Sequence, residues 1–303
     1  MTKVYLSLPL FYFLICKLAF ASEHFSDHEQ YCLSLSTDNC IEHIETALEN
    51  EPQYTKSWYK LKTLQIDYLY DTLNFDEIIV QVEPLVDLES TPTVFKTQLY
   101  FYYAKAISRT DKEQAIIYAN KAMAKLENMY SAFENPFRLL ELANLHYVFG
   151  DKERSYNLLL NIGSRFAKSR DPIFHFELNA NKANVFHSWG NLEKALKFRL
   201  LALEAIINTD HKSKITLAIG NVARTHQLLA NYDSAIKYYG DSFAYMQYPK
   251  NTGTHAVYTL RTAEAYWQSK NRDKAAAMLS EVDQTQLKEG HLNLYMKLKK
   301  DLN

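Results

Sequence analysis

The sequence predicts an all-α solenoid of antiparallel helix pairs, and three observations support this fold class. A turn followed by a helix start recurs with a period of forty residues along most of the chain. Helical periodicity dominates between the turns, whereas strand-like alternation is hard to find. Only seven glycines and seven prolines occur in 303 residues, and no long polar linker interrupts the pattern. Because repetition at roughly 20 to 50 residues is typical of repeat arrays, we expect about seven stacked helix pairs.

The recurring turn carries a helix-capping residue, followed four positions later by a small residue. The capping residues are Asp111, Asp151, Asn191, Asn231 and Asn271. The small residues are Ala115, Ser155, Ala195, Ala235 and Ala275. Weaker copies precede them at Asn74 to Ile78 and at Ser36 to Cys40. Since Asp and Asn side chains accept hydrogen bonds from first-turn amides, each capping residue is expected to start the second helix of a pair.

The helix before each turn has two further columns that predict how the helices of a pair meet. One column is small: Ala143, Ala183, Ala223 and Ala263. The other column, three residues later, is planar: His146, Phe186, His226 and Tyr266. Small residues on both helices would let the backbones approach closely, and the rings would fill the wedge beside them. We therefore expect both columns in the core, including the two histidines.

These columns resemble the tetratricopeptide repeat, most fully in "NKANVFHSWGNLEKALKF" and "NVARTHQLLANYDSAIKYY". The resemblance covers about residues 24–282 and is strongest over 136–282. The forty-residue step is similar to the long-helix subclass found in LGN-type adaptors. The resemblance implies a right-handed superhelical solenoid that binds a protein or peptide partner without a cofactor.

The chain divides into four predicted parts. Residues 1–21 resemble a signal peptide, with Lys3, the apolar run "VYLSLPLFYFLI" and "AFA" at Ala19 to Ala21. Residues 22–110 hold degenerate repeats, 111–282 regular repeats, and 283–303 a capping helix. We expect cleavage after Ala21 and a periplasmic location. The alternative is an uncleaved anchor, although Lys17 shortens the apolar run below the roughly 20 residues of a spanning helix.

Cleavage would leave two cysteines, Cys32 and Cys40. In an oxidising compartment such a pair is more often bridged than free, so we expect a disulfide that staples the first helix hairpin. The alternative is a pair of buried thiols, since Cys40 occupies the small-residue column.

Composition and motifs favour a binding protein over an enzyme. The chain has a net charge of −1, and loss of Lys3 and Lys17 makes the exported chain more acidic, without any basic run for nucleic acid or anionic lipid. We find no phosphate-binding loop, nucleophile elbow or Cys-x-x-Cys motif. His24 and His28 are spaced to share a metal, but we expect no metal site at this terminus. We therefore expect no cofactor, no nucleic acid and no stable membrane insertion after cleavage.

The first helices of the pairs carry a ladder of polar residues, which we expect on the concave side of the array. It consists of Glu141, Asn144, Asn181, Asn184, Asn221, Arg224, Arg261 and Glu264. One turn further along lies a border of Tyr147, His187, Gln227 and Trp267. The segment "NKAN" from Asn181 resembles the N-x-x-N pattern whose asparagines contact peptide in LGN-type adaptors.

Two uses of this ladder stay open from the sequence. In one, Asn184 and Asn221 bond a peptide backbone while Arg224 meets a carboxylate. In the other, Arg224 pairs with Glu264 and the asparagines bond between helices to fix the repeat spacing. The functional expectation is a non-enzymatic exported scaffold. The alternative is a periplasmic sensory module, similar to the repeat part of membrane-bound diguanylate cyclases, that acts through a membrane partner.

Overall fold

The computed structural model describes residues 38–129, 136–246 and 251–302, and in these residues it contains fourteen α-helices and no strand. The helices are α1 (Asp38–Asn50), α2 (Lys56–Asp71), α3 (Phe75–Val86), α4 (Thr93–Ile107), α5 (Lys112–Met129), α6 (Pro136–Phe149), α7 (Lys152–Arg165), α8 (Pro172–Ser188), α9 (Leu192–Ile206), α10 (Lys212–Leu228), α11 (Tyr232–Ser242), α12 (Thr252–Gln268), α13 (Arg272–Ser280) and α14 (Glu289–Leu302). Short 3-10 turns follow α11 and α13.

The helices pack as consecutive pairs, which confirms the predicted all-α solenoid. Six complete pairs run from α2 and α3 to α12 and α13, and each pair also contacts the next. Helix α1 takes the place of a second helix, and the first helix of that expected pair would fall in residues 1–37. Those residues lie outside the described chain, and so do the proposed signal peptide, His24, His28 and Cys32.

Four of the five predicted capping residues, Asp111, Asp151, Asn191 and Asn271, accept a hydrogen bond from a first-turn amide, whereas Asn231 begins its helix without a side-chain cap. The side chain of Asn191 accepts a hydrogen bond from the amide of Lys194 at 3.0 Å, and Asp151 accepts one from Glu153 at 2.8 Å. The residue before the cap adopts a left-handed conformation at Gly190 (φ 74°) and at Lys270 (φ 66°). This conformation suits glycine and strains other residues, so the same turn is less favourable at Lys270.

The small columns form the contact between the two helices of each pair. Ala183 on α8 and Ala195 on α9 are fully buried, as are the other members of both columns from Ala115 onward. At the one serine in the column, the hydroxyl of Ser155 donates to the carbonyl of Ala143 at 2.7 Å. That bond satisfies a buried polar group at a position where the neighbouring repeats have alanine.

The planar column lies in the core only in part: His146 and Phe186 are buried, whereas His226 and Tyr266 are half-buried. Phe186 stacks on Phe198 with ring centroids 5.4 Å apart and planes 4° apart. His226 stacks in the same way on Tyr238, at 5.4 Å and 10°. In His146 the Nε2 atom lies 3.0 Å from Glu127, so this ring is buried with a polar tip in contact with the preceding helix.

Helix α14 packs against both helices of the last described pair. Leu298 is 1% exposed, and Leu294 and Tyr295 pack around it against a cluster that includes Leu260 and Leu279. Helix α14 thus lies within the range predicted for a capping helix and places its apolar residues against the preceding pair.

At the other end, Cys40 is 1% exposed and packs with Ile44 and Leu61. Because Cys32 lies outside the described residues, the Cys32–Cys40 bridge stays a prediction. Over the described ranges, none of the helices has the length and apolar character needed to cross a membrane.

Candidate functional site

The first helices of the pairs line the inner side of a curved array, and one ion cluster demonstrates this curvature. The Lys214 ammonium on α10 lies 2.8 Å from Asp71 on α2 and 3.2 Å from Glu177 on α8. Since α2 and α10 belong to pairs four steps apart, the array must curve until their inner faces meet. Burial alone would lower the pKa of Lys214, but the two carboxylates raise it overall and keep the ammonium charged.

A second cluster lies on the inner faces of α2, α4 and α6. The Tyr102 hydroxyl donates to Asp67, and Arg138 forms an ion pair with Glu141 one turn away. Burial raises the pKa of Asp67 to about 6, against the opposing effects of the Tyr102 hydrogen bond and the Arg138 charge. Glu141 of the ladder is therefore engaged by an arginine of its own helix.

Two ladder asparagines bond between consecutive first helices. Asn144 accepts from the Lys105 ammonium at 2.9 Å and donates to the Asn181 side chain at 2.8 Å. Asn181 in turn donates to the carbonyl of Glu177 at 2.8 Å and is 8% exposed. Burial lowers the pKa of Lys105 to about 8. This chain of bonds links α4, α6 and α8, so here the ladder fixes repeat spacing.

Further along the face, Glu264 collects three donors. Its Oε2 atom accepts from Arg261 at 2.7 Å, from Gln227 at 2.9 Å and from Arg224 at 3.3 Å. The pairing of Arg224 with Glu264, one of the two expectations for this position, is thus present. Arg224 also donates to Gln227 at 2.9 Å. The cluster joins α10 to α12 with two guanidinium groups and one carboxylate.

The expected aromatic and polar border is less accessible than the sequence suggested. Gln227 is 3% exposed, because its amide bonds to α12 and its oxygen also accepts from Tyr239. Trp267 packs against α14, and the Lys297 ammonium lies 5.8 Å from the centre of its ring. The terminal helix therefore covers this end of the border, which single-repeat alignment does not predict.

Asn184 and Asn221 differ from the other ladder asparagines. Neither side-chain amide has a hydrogen-bond partner among the described residues, and both line one small cavity of about 10 Å³ between α8, α9 and α10. Phe176 and Ala218 form part of its apolar wall. The structure thus brings these two asparagines together and leaves their donors and acceptors free for a ligand or water.

The same cavity is lined by Arg199, a residue outside the predicted ladder and border. Arg199 lies on α9, four residues after Ala195, in a column that is otherwise apolar or aromatic. The other members of that column are Val82, Ala119, Leu159, Tyr239 and Leu279, all buried. Arg199 is itself only 8% exposed. The sequence does carry a signal for Arg199: when the repeats are aligned four residues beyond the small column, it is a charged residue in an apolar column.

The contacts of Arg199 are incomplete. Its Nη1 donates to the carbonyl of Asn221 at 3.0 Å and to the hydroxyl of Thr225. Its Nε atom is buried without a hydrogen-bond partner. Burial lowers the pKa of Arg199, and the groups that oppose this are the phenols of Tyr147 and Tyr239, with no carboxylate among them. A guanidinium at this place lacks the anion that usually accompanies a buried arginine.

His187, a predicted border residue, lies close enough to feel this charge. Burial lowers its pKa, and the positive charges of Arg199 and Arg224 lower it further. Its Nδ1 atom is buried without a partner. His187 is thus a neutral ring at neutral pH beside the arginines.

Across the three described stretches of the chain, no group of three or more His, Cys, Asp and Glu residues is placed to hold a metal ion.

No protein-family model and no curated protein matches the sequence. Solved structures do match. A Rap protein complexed with competence and sporulation factor superimposes with a TM-score of 0.61 and 16% identity, over 91% of this chain and 85% of that chain.

Two further structures are similar. A tetratricopeptide repeat protein from Parabacteroides merdae gives a TM-score of 0.50 at 12% identity, over 85% of this chain and 91% of that chain. A STAND signal-transduction ATPase with a tetratricopeptide repeat sensor, from Pyrococcus horikoshii, gives 0.51 at 17% identity, over 87% of this chain and 42% of that chain. At these identities the likeness concerns the fold. The chain has a tetratricopeptide-type fold.

Proposed function

We propose that this protein is an exported, non-enzymatic scaffold that binds an extended peptide segment of a partner protein where α8 and α10 face the groove. The observation that carries the proposal is the contrast between two pairs of asparagines. The Asn144 side chain accepts from Lys105 and donates to Asn181, and the Asn181 amide donates to the Glu177 carbonyl of its own helix. Asn184 and Asn221 line one cavity together with unpartnered amides.

The chemistry of these amides suits a peptide. An extended backbone offers one N–H donor and one C=O acceptor per residue, and an Asn side chain can meet either group. The expected energy is modest, about 0.5 to 1.5 kcal/mol for each neutral hydrogen bond. The Rap protein that shares the fold was crystallised in complex with competence and sporulation factor, which supports ligand binding as a use of this architecture.

Affinity capture tests the proposal. The exported chain is immobilised and exposed to an extract of exported proteins, and wild type is compared with an Asn184→Ala/Asn221→Ala double variant. We expect a partner that the wild type retains and the double variant loses. The control is Asn120→Ala, which removes an exposed amide from a second helix. Equal capture by wild type, control and double variant would place partner binding elsewhere.

A sensory role is the second candidate function. It is favoured by the fold shared with the Pyrococcus horikoshii protein, whose repeat part is described as a sensor. A sensor acting through a membrane partner and a free scaffold make different predictions for the terminus. Mass measurement of the purified chain decides between them: a mature terminus at Ser22 supports the free form, and a retained Met1 supports an anchored form.

A further inference from the structure

Arg199 occupies a position that the fold reserves for apolar or aromatic residues. In the neighbouring repeats the equivalent residues are Leu159 and Tyr239, and both are at most 1% exposed. Burial of a guanidinium without an anion is unfavourable, because the charge loses its hydration and gains no counter-charge. A leucine would fill the same position at no such cost. The arginine therefore needs an explanation other than packing.

The hydrogen bonds of Arg199 leave one edge of the guanidinium without a partner. Nη1 is committed to Asn221 and Thr225. In the described chain, Nε has no partner and Nη2 makes no hydrogen bond, and the side chain lines the cavity shared with Asn184. The edge formed by Nε and Nη2 presents two parallel N–H groups, which match the two oxygens of a carboxylate. The cavity of about 10 Å³ is of the size that one water molecule needs.

The surrounding charges favour an anion at this edge. Arg199, Arg224 and Arg261 all act on the phenol of Tyr239, and Glu264 is the one carboxylate that acts on it. Glu264 is already shared by Arg224 and Arg261. His187 contributes no negative charge in either protonation state. The region therefore has an excess of positive charge next to two unpartnered amides.

We infer that Arg199 binds a carboxylate of the ligand, which enters between Asn184 and Asn221, so that the partner of this scaffold is an acidic peptide. This inference rests on the proposed function and narrows its ligand. The carboxylate has two possible sources, an aspartate or glutamate side chain within the segment or the carboxyl group of a chain terminus. In both cases the Asn184 and Asn221 amides hold the backbone on either side of the bound group.

Hexapeptide pools test the inference on the exported chain. In each pool one position is fixed as Asp or as its neutral isostere Asn, and every pool is made with a free and with an amidated C-terminus. Binding is measured by affinity selection and mass spectrometry. We expect wild type to prefer Asp pools if the source is a side chain, and free-terminus pools if it is a terminal carboxylate.

The variant Arg199→Leu supplies the residue type found at this position in neighbouring repeats. It is expected to abolish the preference for carboxylate pools, with a loss of about 10- to 100-fold in affinity for the best peptide. The melting midpoint of the unliganded chain should stay the same or rise, because an unpaired buried charge is removed. Lys197→Leu is the matched control: it removes a charge from the exposed side of the same helix and should preserve the preference.

The outcomes separate this inference from the proposed function. Binding that depends on Asn184 but shows no preference for carboxylates overturns the inference and leaves the scaffold proposal standing. A lowered midpoint in Arg199→Leu with unchanged pool preference assigns Arg199 to structure alone. Absence of binding by every pool to wild type overturns both.

Discussion

Two regions of the inner face use the same repeat columns in opposite ways. In the amino-terminal network, which links α2, α4, α6 and α8 and extends to Lys214, cations face carboxylates. Lys214 lies between Asp71 and Glu177, and Arg138 pairs with Glu141. In the arginine cluster of α9, α10 and α12, Arg224 and Arg261 share the carboxylate of Glu264, Arg199 has no carboxylate partner, and two asparagine amides line the adjacent cavity without a partner. A continuous polar ladder in the sequence therefore need not have one function: part of it fixes the stacking, and another part forms the site that we propose for a ligand.

Removing Lys214 should have the largest effect on stability. Lys214→Met leaves Asp71 and Glu177 facing each other without a counter-charge and unties α2 from α10. Breaking a fully buried ion pair costs about 3 to 5 kcal/mol. We expect about 2 to 3 kcal/mol in urea unfolding, because the Asp71 and Glu177 side chains are 43% and 31% exposed.

The control for Lys214 is Lys237→Met. Lys237 also contacts a carboxylate, Asp241, but both side chains lie on the outer surface, 70% and 47% exposed. Exposed pairs of this kind contribute little to stability because solvent screens the charges, so Lys237→Met should leave the free energy of unfolding nearly unchanged. Equal losses in the two variants would mean that the contact across the groove does not stabilise the curvature.

The amino-terminal network should also respond to pH through Asp67. Its pKa is raised to about 6 in the folded chain from an ordinary 3.8. The folded state therefore binds a proton more readily, and the resulting stability is complete below 3.8 and lost as pH rises through about 6. When the pH is lowered from 7.5 to 5, the free energy of unfolding of wild type should rise by about 1.4 kcal/mol relative to that of Asp67→Asn, because asparagine does not titrate.

Urea unfolding at the two pH values measures this difference. Glu113→Gln, an exposed change on α5, is the control for general pH effects. A constant difference between wild type and Asp67→Asn across this range would show that Asp67 is not buried as described.

The asparagines of "NKAN" offer a matched comparison within one helix. Asn181→Ala removes bonds to Asn144 and to the Glu177 carbonyl, so it should lower the free energy of unfolding by about 1 to 2 kcal/mol. Asn184→Ala removes no intramolecular hydrogen bond and should change stability by less than about 0.5 kcal/mol. Thermal melting of both variants checks this. Similar losses of stability in the two variants would mean that both asparagines serve the stacking of the repeats.

The smallest expected effect on stability concerns two turns that do not belong to either region of the inner face. Gly190 and Lys270 share a left-handed conformation at equivalent positions. Gly190→Ala should lower stability by about 1 kcal/mol, and Lys270→Gly should raise it by up to about 1 kcal/mol. A lower melting midpoint for Gly190→Ala and a higher one for Lys270→Gly would show that glycine is preferred at both turns. Midpoints that change in the same direction in both variants would mean that the local packing of the turn outweighs the backbone conformation.

The fold could be predicted from the sequence because its signals repeat. The small and planar columns recur at a fixed step, and Ala183, Ala195 and Phe186 pack where the columns placed them. Because the period is fixed, several repeats support the same prediction of helices and of their pairing. A departure at a single position therefore does not change that prediction.

The candidate site could be predicted only in part. The ladder residues lie on the first helices as expected, but their bonding depends on individual neighbours outside the columns, such as Lys105 for Asn144. The contact of Asp71 with Lys214 depends on curvature summed over several repeats, for which no single repeat carries a signal. Arg199 carried a readable signal, since a charge in an apolar column is visible in the alignment itself.

The most direct test of the account compares affinity and stability in the same variants. Titration calorimetry is carried out with the best hexapeptide from the pools on wild type, Asn184→Ala and Asn181→Ala, together with their melting midpoints. The account predicts that Asn184→Ala weakens binding by about 2- to 10-fold, one neutral hydrogen bond, at an unchanged midpoint, and that Asn181→Ala lowers the midpoint. Unchanged affinity in Asn184→Ala together with a lowered midpoint would contradict it and assign the whole ladder to repeat stacking.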